Sequence, residues 1–289
     1  MTLSLSRHRN RFAYLMTVPV SVIFFCLVIF PLLYSIFMSL QSSHTGLSKL
    51  QFVGFANFRE VFTSALFWNA AKNTAFYILG TVASTTLIGF FIAYLLAWIR
   101  RGATVFRTIF MLSLAVTPVV AGLTFGMMFN PDFGVVNYIL SFFGVQPLAW
   151  ATGFKTALLT LMIVETWQWT PFMILIIYAG FMTLSEEILE AGRMDGARWW
   201  QELLYITIPS LKPILLIAMI FRFMDAFRSF DIIYAMTKGG PGNATETLVI
   251  RAFLESLKYF RLEIGAVIGI VLLVITTIAT RFTVRFLPK

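Results

Sequence analysis

Ionisable and nucleophilic chemistry is scarce in this sequence. It has one cysteine, Cys26, and two histidines, His8 and His44, far apart in the chain. A single thiol inside an apolar run closes no internal disulfide. Neither an HExxH pair nor a Cys/His cluster is present, so no protein metal site is expected. The phosphate-cradling GxxxxGK[ST] spacing is also missing, and the Gly239-Gly240-Pro241-Gly242 run does not supply it. With no convergent nucleophile and base, the chain does not read as an enzyme. Charged residues are only 12% of the sequence, about half the share of a soluble domain.

What fills the chain instead is hydrocarbon. Hydrophobic residues make up 59%, Phe alone occurs 31 times, and the mean hydropathy is +0.84. A membrane crossing needs ~20 apolar residues. Six stretches meet that length, at 12–38, 73–99, 106–130, 155–180, 210–236 and 263–286. The expected fold is therefore an all-α integral membrane protein with about six transmembrane helices, one membrane domain over 1–289. The first stretch is longer than the ~7–15 residues of a signal-peptide core, and no small-x-small site follows it, so it reads as an uncleaved span.

The net charge of +9 raises nucleic acid as a partner. Its distribution points to membrane lipids, because the basic residues flank apolar runs rather than line a soluble face. Arg7, Arg9 and Arg11, then Arg100, Arg101 and Arg107, then Arg193, Arg198 and Lys212, then Arg281, Arg285 and Lys289 fall on one side. They outnumber the basic residues of the other side. The expected location is a bacterial inner membrane, and the bias predicts both termini in the cytoplasm, which also requires an even number of spans.

The loop at 183–209 carries the most information. Ser185 is placed to cap a helix whose first turn holds Glu186 and Glu187, complementing the helix dipole. Ile188, Leu189 and Ala191 give that helix one apolar stripe. Asp195-Gly196 reads as a break, a second short helix carries Trp199, Trp200, Leu203 and Leu204, and Pro209 marks the start of the fifth span. Such a helix–turn–helix under the membrane suits either a partner with a groove or a position on the lipid headgroups.

In this loop Glu190, Ala191, Gly192, Gly196, Ile206, Ile208 and Pro209 resemble, in register, the EAA loop of binding-protein-dependent ABC importer permeases. Two positions depart: Gly192 replaces the second Ala, which should loosen the first helix by up to ~1 kcal/mol, and Ile208 replaces Leu. The resemblance continues along the chain. Gly54, Asn57, Phe58, Phe67, Trp68, Asn73 and Thr74 are similar to the approach to the second span in sugar permeases. The same holds for Asn130-Pro131, Gly134 and Asn137 after the third span, and for Thr166-Trp167-Gln168-Trp169-Thr170-Pro171-Phe172 in the fourth. The loop Thr237 to Thr247 resembles the first of the two permeases of maltose-type importers. Ser113 stands where relatives often carry proline.

The resemblance implies a type I importer fold and a sugar substrate. Glu187, Glu190, Ala191, Gly192, Asp195, Gly196, Ile206 and Pro209 would form the coupling surface for an ATPase. Implied partners are a second related permease, two ATPase subunits that carry ATP and Mg, and a periplasmic or lipid-anchored binding protein. This chain would bind no cofactor itself.

Intramembrane charges cost at least ~2.5 kcal/mol each unless paired or hydrated. Arg222, Asp225, Arg228 and Asp231 recur every third residue, so on one continuous helix neighbours would touch and the series would wind around it. They read as internal pairs or as the lining of a wet substrate path. Glu165, Trp167 and Gln168 join them as substrate-path candidates, because aromatic faces and an amide suit a sugar ring and its hydroxyls. Trp is also common at membrane interfaces. Gly122/Gly126 and Gly265/Gly269 have the small-xxx-small spacing that permits close helix approach. Three other classes fit less well. An ion-gradient-driven secondary transporter would show an inverted repeat with broken helices, and no clear repeat is present. A membrane-embedded enzyme would need the convergent constellation that is missing. A purely structural subunit would tolerate loss of the loop at 185–205.

Overall fold

A computed structural model describes residues 16–42, 50–99 and 102–285. The basic N-terminal run Arg7, Arg9 and Arg11, both histidines, Lys49, Arg100, Arg101, Lys289 and the outer edges of the first and last expected spans lie outside the described residues.

The chain divides into two compact units, one taking residues up to Ser64 together with Ala252–Val271, the other Ala65–Arg251 with the segment from Leu272 on. In the first unit, α1 (Met16–Ser39) is a long apolar helix with a π-helical stretch at Phe25–Ile29. A short antiparallel hairpin, β1 (Gln41–Ser42) with β2 (Gln51–Phe52), leads to α2 (Ala56–Thr63). Asn57 fixes this junction, its buried side-chain amide donating to the carbonyls of Ser39 and Gln41. Arg261 pairs with Glu60 and Glu255.

The second unit opens with α3 (Ala65–Trp98), 34 residues and thus about 51 Å long. It is followed by α4 (Ala103–Ala115), α5 (Pro118–Met128) and α6 (Val135–Ser141). Next come α7 (Ala157–Phe181), α8 (Glu186–Met194) and α9 (Trp199–Ala226). Then comes α10 (Asp231–Met236), followed by α11 (Leu248–Phe253, continued by a π turn to Lys258) and α12 (Leu262–Val284), each of which has residues in both units. Among the described residues five helices are long and apolar enough to cross a membrane, and α4 with α5 makes a sixth span bent by 93°.

α3 and α7 run parallel: Gly80 meets Met162, and Gly89 meets Met173 so closely that a Cβ would lie 2.6 Å from the Met173 side chain. Trp98 and Phe181 therefore share one end of the unit, and Ala65 and Ala157 the other. Gly122 of α5 does the same against α10, where an added Cβ would stand 2.8 Å from Ala235 and 3.2 Å from the Ile232 backbone. Of the two small-xxx-small pairs, Gly122 and Gly265 make tight approaches. Gly126 touches only Met236 at 3.9 Å, and Gly269 faces open space.

Three expected spans have different bounds. The second begins at Ala65, because Trp68, Asn69 and Lys72 continue the helix beyond its apolar core. The third is not one helix: Pro118 has no N–H to give, Thr117 before it is driven to an extended backbone (φ −66, ψ 143), and the chain turns there. The bend thus sits at Pro118, with Ser113 still helical.

The helix that carries the fifth span runs from Trp199 to Ala226, against the 210–236 expected for the span. Pro209 does not start that helix. The π turn at Glu202–Thr207 shifts the hydrogen bonding just ahead of Pro209, and the helix passes through. At the other end Arg228 N–H donates to Asp225 C=O, a tightened last turn, and the helix stops.

Candidate functional site

Two groups of residues bear on function, and both lie in the second unit. The first is the projection at 186–207. α8 follows Ser185, which has the extended backbone of a cap residue but makes no capping hydrogen bond through its side chain. Glu186 and Glu187 occupy the first turn and Arg193 the last. The helix closes in a Schellman motif: Gly196 N–H donates to Arg193 C=O, Ala197 N–H to Gly192 C=O, and Gly196 takes φ +83, a region an L side chain resists. Asp195-Gly196 is thus the break its sequence indicates.

Glu187, Glu190, Ala191 and Asp195 are exposed on this projection. Gly192 faces the next helix, where a Cβ would come within 2.5 Å of Ile206 Cδ1. This glycine therefore lets α8 lie close against α9. Pro209 is exposed one turn further along. A cavity of about 360 Å³ separates α8 from the ends of α3 and α7, lined among others by Tyr94, Trp98, Leu189, Glu190 and Arg193. Glu202, hydrogen-bonded to Arg193, raises the pKa of that guanidinium, which stays charged.

The second group is buried between the spans. Arg222 Nη2 lies 2.7 Å from Glu165 Oε1 on α7, and its Nη1 lies 3.2 Å from Asp225 Oδ2. Its guanidinium also faces the Trp169 ring at 5.5 Å. Ser229 Oγ donates to Glu165 Oε2, and Tyr77 from α3 shares a 3.0 Å hydrogen bond with Ser229. Five polar side chains, Tyr77, Glu165, Arg222, Asp225 and Ser229, thus converge where α9 ends. A small cavity of about 80 Å³ opens beside them, lined by Glu165, Trp169, Asp225, Arg228, Ser229 and Asp231 among others.

The i,i+3 spacing predicts one of these contacts, Arg222 with Asp225. The series does not wind around a single helix, because α9 ends at Ala226: Arg228 lies in the connection and Asp231 opens α10.

Gln168 and Trp167 are placed elsewhere. Gln168 is 2% exposed, and its Nε2 donates at 2.8 Å to both Ser113 C=O and Val116 C=O, carbonyls at the bend of the third span. Trp167 packs edge-on against Phe125 and lines an apolar cavity of about 950 Å³ between α3, α4 and α7. Sequence reasoning missed Tyr77, Ser229, Trp169 as a guanidinium partner, and Glu202. Trp169 lies in the Thr166–Phe172 stretch and Ser229 follows Arg228, but no spacing rule links them across helices.

At the end of the unit away from α8, the 237–247 loop is tied to the start of α3. Asn69 and Asn73 donate to the Asn243 carbonyl, Asn73 also to Glu246 C=O, and Thr74 Oγ1 accepts from Leu248 N–H. Asn137 organises the neighbouring loop, donating to the Pro131 and Leu148 carbonyls and accepting from Trp150 Nε1.

Comparison with known proteins gives a family and a fold. The family model described as binding-protein-dependent transport system inner membrane component matches residues 85–289. The trehalose/maltose transport system permease protein MalF of Thermococcus litoralis is 32% identical over 99% of this chain and 96% of its own. The sulfoquinovosyl glycerol transport system permease protein SmoG of Agrobacterium fabrum is 30% identical over 95% and 90%. Among solved structures, a chain of a bacterial ABC transporter involved in the import of the acidic polysaccharide alginate superposes with a TM-score of 0.84 over 100% of both chains, at 21% identity, a likeness of fold.

Proposed function

This chain belongs to the family of binding-protein-dependent inner membrane transport components and is a permease subunit of an ABC importer; from that premise we propose that it lines, with a second related permease, the membrane path of a sugar. Relatives named for trehalose and maltose and for sulfoquinovosyl glycerol support a carbohydrate substrate. One of two ATPase subunits, which carry ATP and Mg, docks on the projection at 186–207, and the other docks on the second permease. A periplasmic or lipid-anchored binding protein delivers substrate on the opposite side, where the 237–247 loop lies. The family supports an inner membrane location, and the basic bias of the sequence supports the projection and both termini in the cytoplasm.

One observation carries the coupling reading: α9 is continuous from the projection at Trp199 into the membrane span that ends at Ala226. Closure of an ATPase dimer against Glu187, Glu190, Ala191 and Asp195 is thereby delivered to the far end of the span as a rigid-body tilt. That far end adjoins the polar cluster of Glu165, Asp225, Arg228 and Asp231, with Trp169 offering the aromatic face a sugar ring stacks on.

Glu190→Lys in the assembled transporter tests this reading. ATP hydrolysis should continue while uptake falls, with membrane insertion unchanged. Uptake at the unsubstituted level would refute the coupling role.

A further inference from the structure

α8 projects from the unit, and an exposed nine-residue helix transmits a push only if its angle to the next helix is fixed. Gly192 against Ile206 provides close approach but no directional bond. The directional contact comes from Arg193. Its Nε lies 2.9 Å from Glu202 Oε2 and its Nη2 3.0 Å from Glu202 Oε1, a two-pronged pairing. Glu202 is only 7% exposed and lies in the first turns of α9, within the π stretch.

The other face of the same guanidinium lies 4.9 Å from the Trp98 ring, the last residue of α3. Trp98 in turn meets Tyr94 edge-on, and Tyr94 packs on Phe181 at the end of α7. One side chain thus joins α8 to α9 by planar hydrogen bonding and to α3 by stacking.

We propose that Arg193 is a positioning residue for coupling: it locks α8 to Glu202 and Trp98 so that force on α8 moves the fifth and second spans together. This inference rests on the coupling role of the 186–207 projection. Arg193 itself touches no substrate. A guanidinium suits the task where an ammonium does not, because its fork is planar and can pair on its edge while stacking on its face.

The test uses the full transporter, this chain with its partner subunits, in proteoliposomes, and reads substrate moved per ATP hydrolysed. In Arg193→Ala the ratio should fall by about tenfold, the scale of removing a charge-assisted hydrogen bond from a shielded partner. Arg193→Lys should also fall, since it keeps the charge but not the fork. The exchange Arg193→Glu with Glu202→Arg should recover part of the ratio by restoring the pair. Glu190→Lys is measured alongside.

If Glu190→Lys uncouples while both Arg193→Ala and Arg193→Lys keep the unsubstituted ratio, the positioning role is overturned and the coupling reading stands. If Glu190→Lys also leaves the ratio unchanged, the coupling reading itself fails. Should Arg193→Ala not assemble, Arg193→Lys decides: a normal ratio in that variant overturns the proposal.

Discussion

Arg222 and Glu165 form a direct ion pair, 2.7 Å from Nη2 to Oε1, with both side chains withdrawn from the surface. The pair joins α9 to α7 next to the point where α9 stops. Removing one partner of a buried pair leaves an uncompensated charge and costs about 3–5 kcal/mol, while replacing both by apolar groups of similar size is often neutral. Glu165→Leu alone should therefore lower the melting temperature in detergent sharply. Combining it with Arg222→Met should restore most of the loss. Equal stability of the single and double variants would contradict the pairing as a stability element.

Gln168→Leu removes the donor to both Ser113 and Val116 carbonyls at the bend of the third span. Ser113 C=O keeps its bond from Val116 N–H. Val116 C=O loses the donor shown for it, and a buried acceptor left without a donor costs about 1–3 kcal/mol. The variant should be produced in lower amount and melt earlier, without any selective loss of affinity for substrate. A variant that melts normally but loses only substrate affinity would instead make Gln168 a sugar ligand.

Gly122→Leu should separate α5 from α10, because even a Cβ at that position meets Ala235 at 2.8 Å and Ile232 at 3.2 Å. Overpacking of this kind costs about 1–3 kcal/mol. Gly126→Ala, whose nearest neighbour is 3.9 Å away, serves as the tolerated comparison. Thermal melts of the two variants decide whether the contact is as tight as described.

Gly196→Ala forces an L side chain to φ +83, at a cost of about 1–2 kcal/mol. The strain falls on the turn between α8 and α9. Expression should be near normal, with the loss seen as a lower ratio of uptake to ATP hydrolysis. Unchanged coupling would mean that this turn tolerates rearrangement.

Much of this architecture is legible in the sequence because lipid demands continuous apolar runs, and the six runs correspond to five long helices and one bent pair. What the sequence hides is set by contacts between helices. The i,i+3 rule finds Arg222 with Asp225 at 3.2 Å, yet the shorter bond is to Glu165, 57 residues away. Pro209 reads as a helix start because a proline inside an α-helix leaves an unmatched carbonyl. The π turn at Glu202–Thr207 removes that conflict, and no local pattern announces a π turn. The bend at Pro118 is visible as a proline in an apolar run, but its angle depends on Gln168, which satisfies the opened carbonyls from another span. In the projection, the turn at Asp195-Gly196 is local and readable, whereas the Arg193–Glu202 pairing across it needs the fold of both helices.

The central claim is that this chain works as a permease in an ATP-driven assembly. The most direct test is affinity purification from its native membrane in mild detergent, with the co-purifying proteins identified and quantified by mass spectrometry. A second, related permease in equal amount and an ATPase subunit in twofold excess should be recovered. A chain recovered alone or only as a homo-oligomer, with no ATPase even after crosslinking, would contradict the claim and favour a transporter driven by an ion gradient.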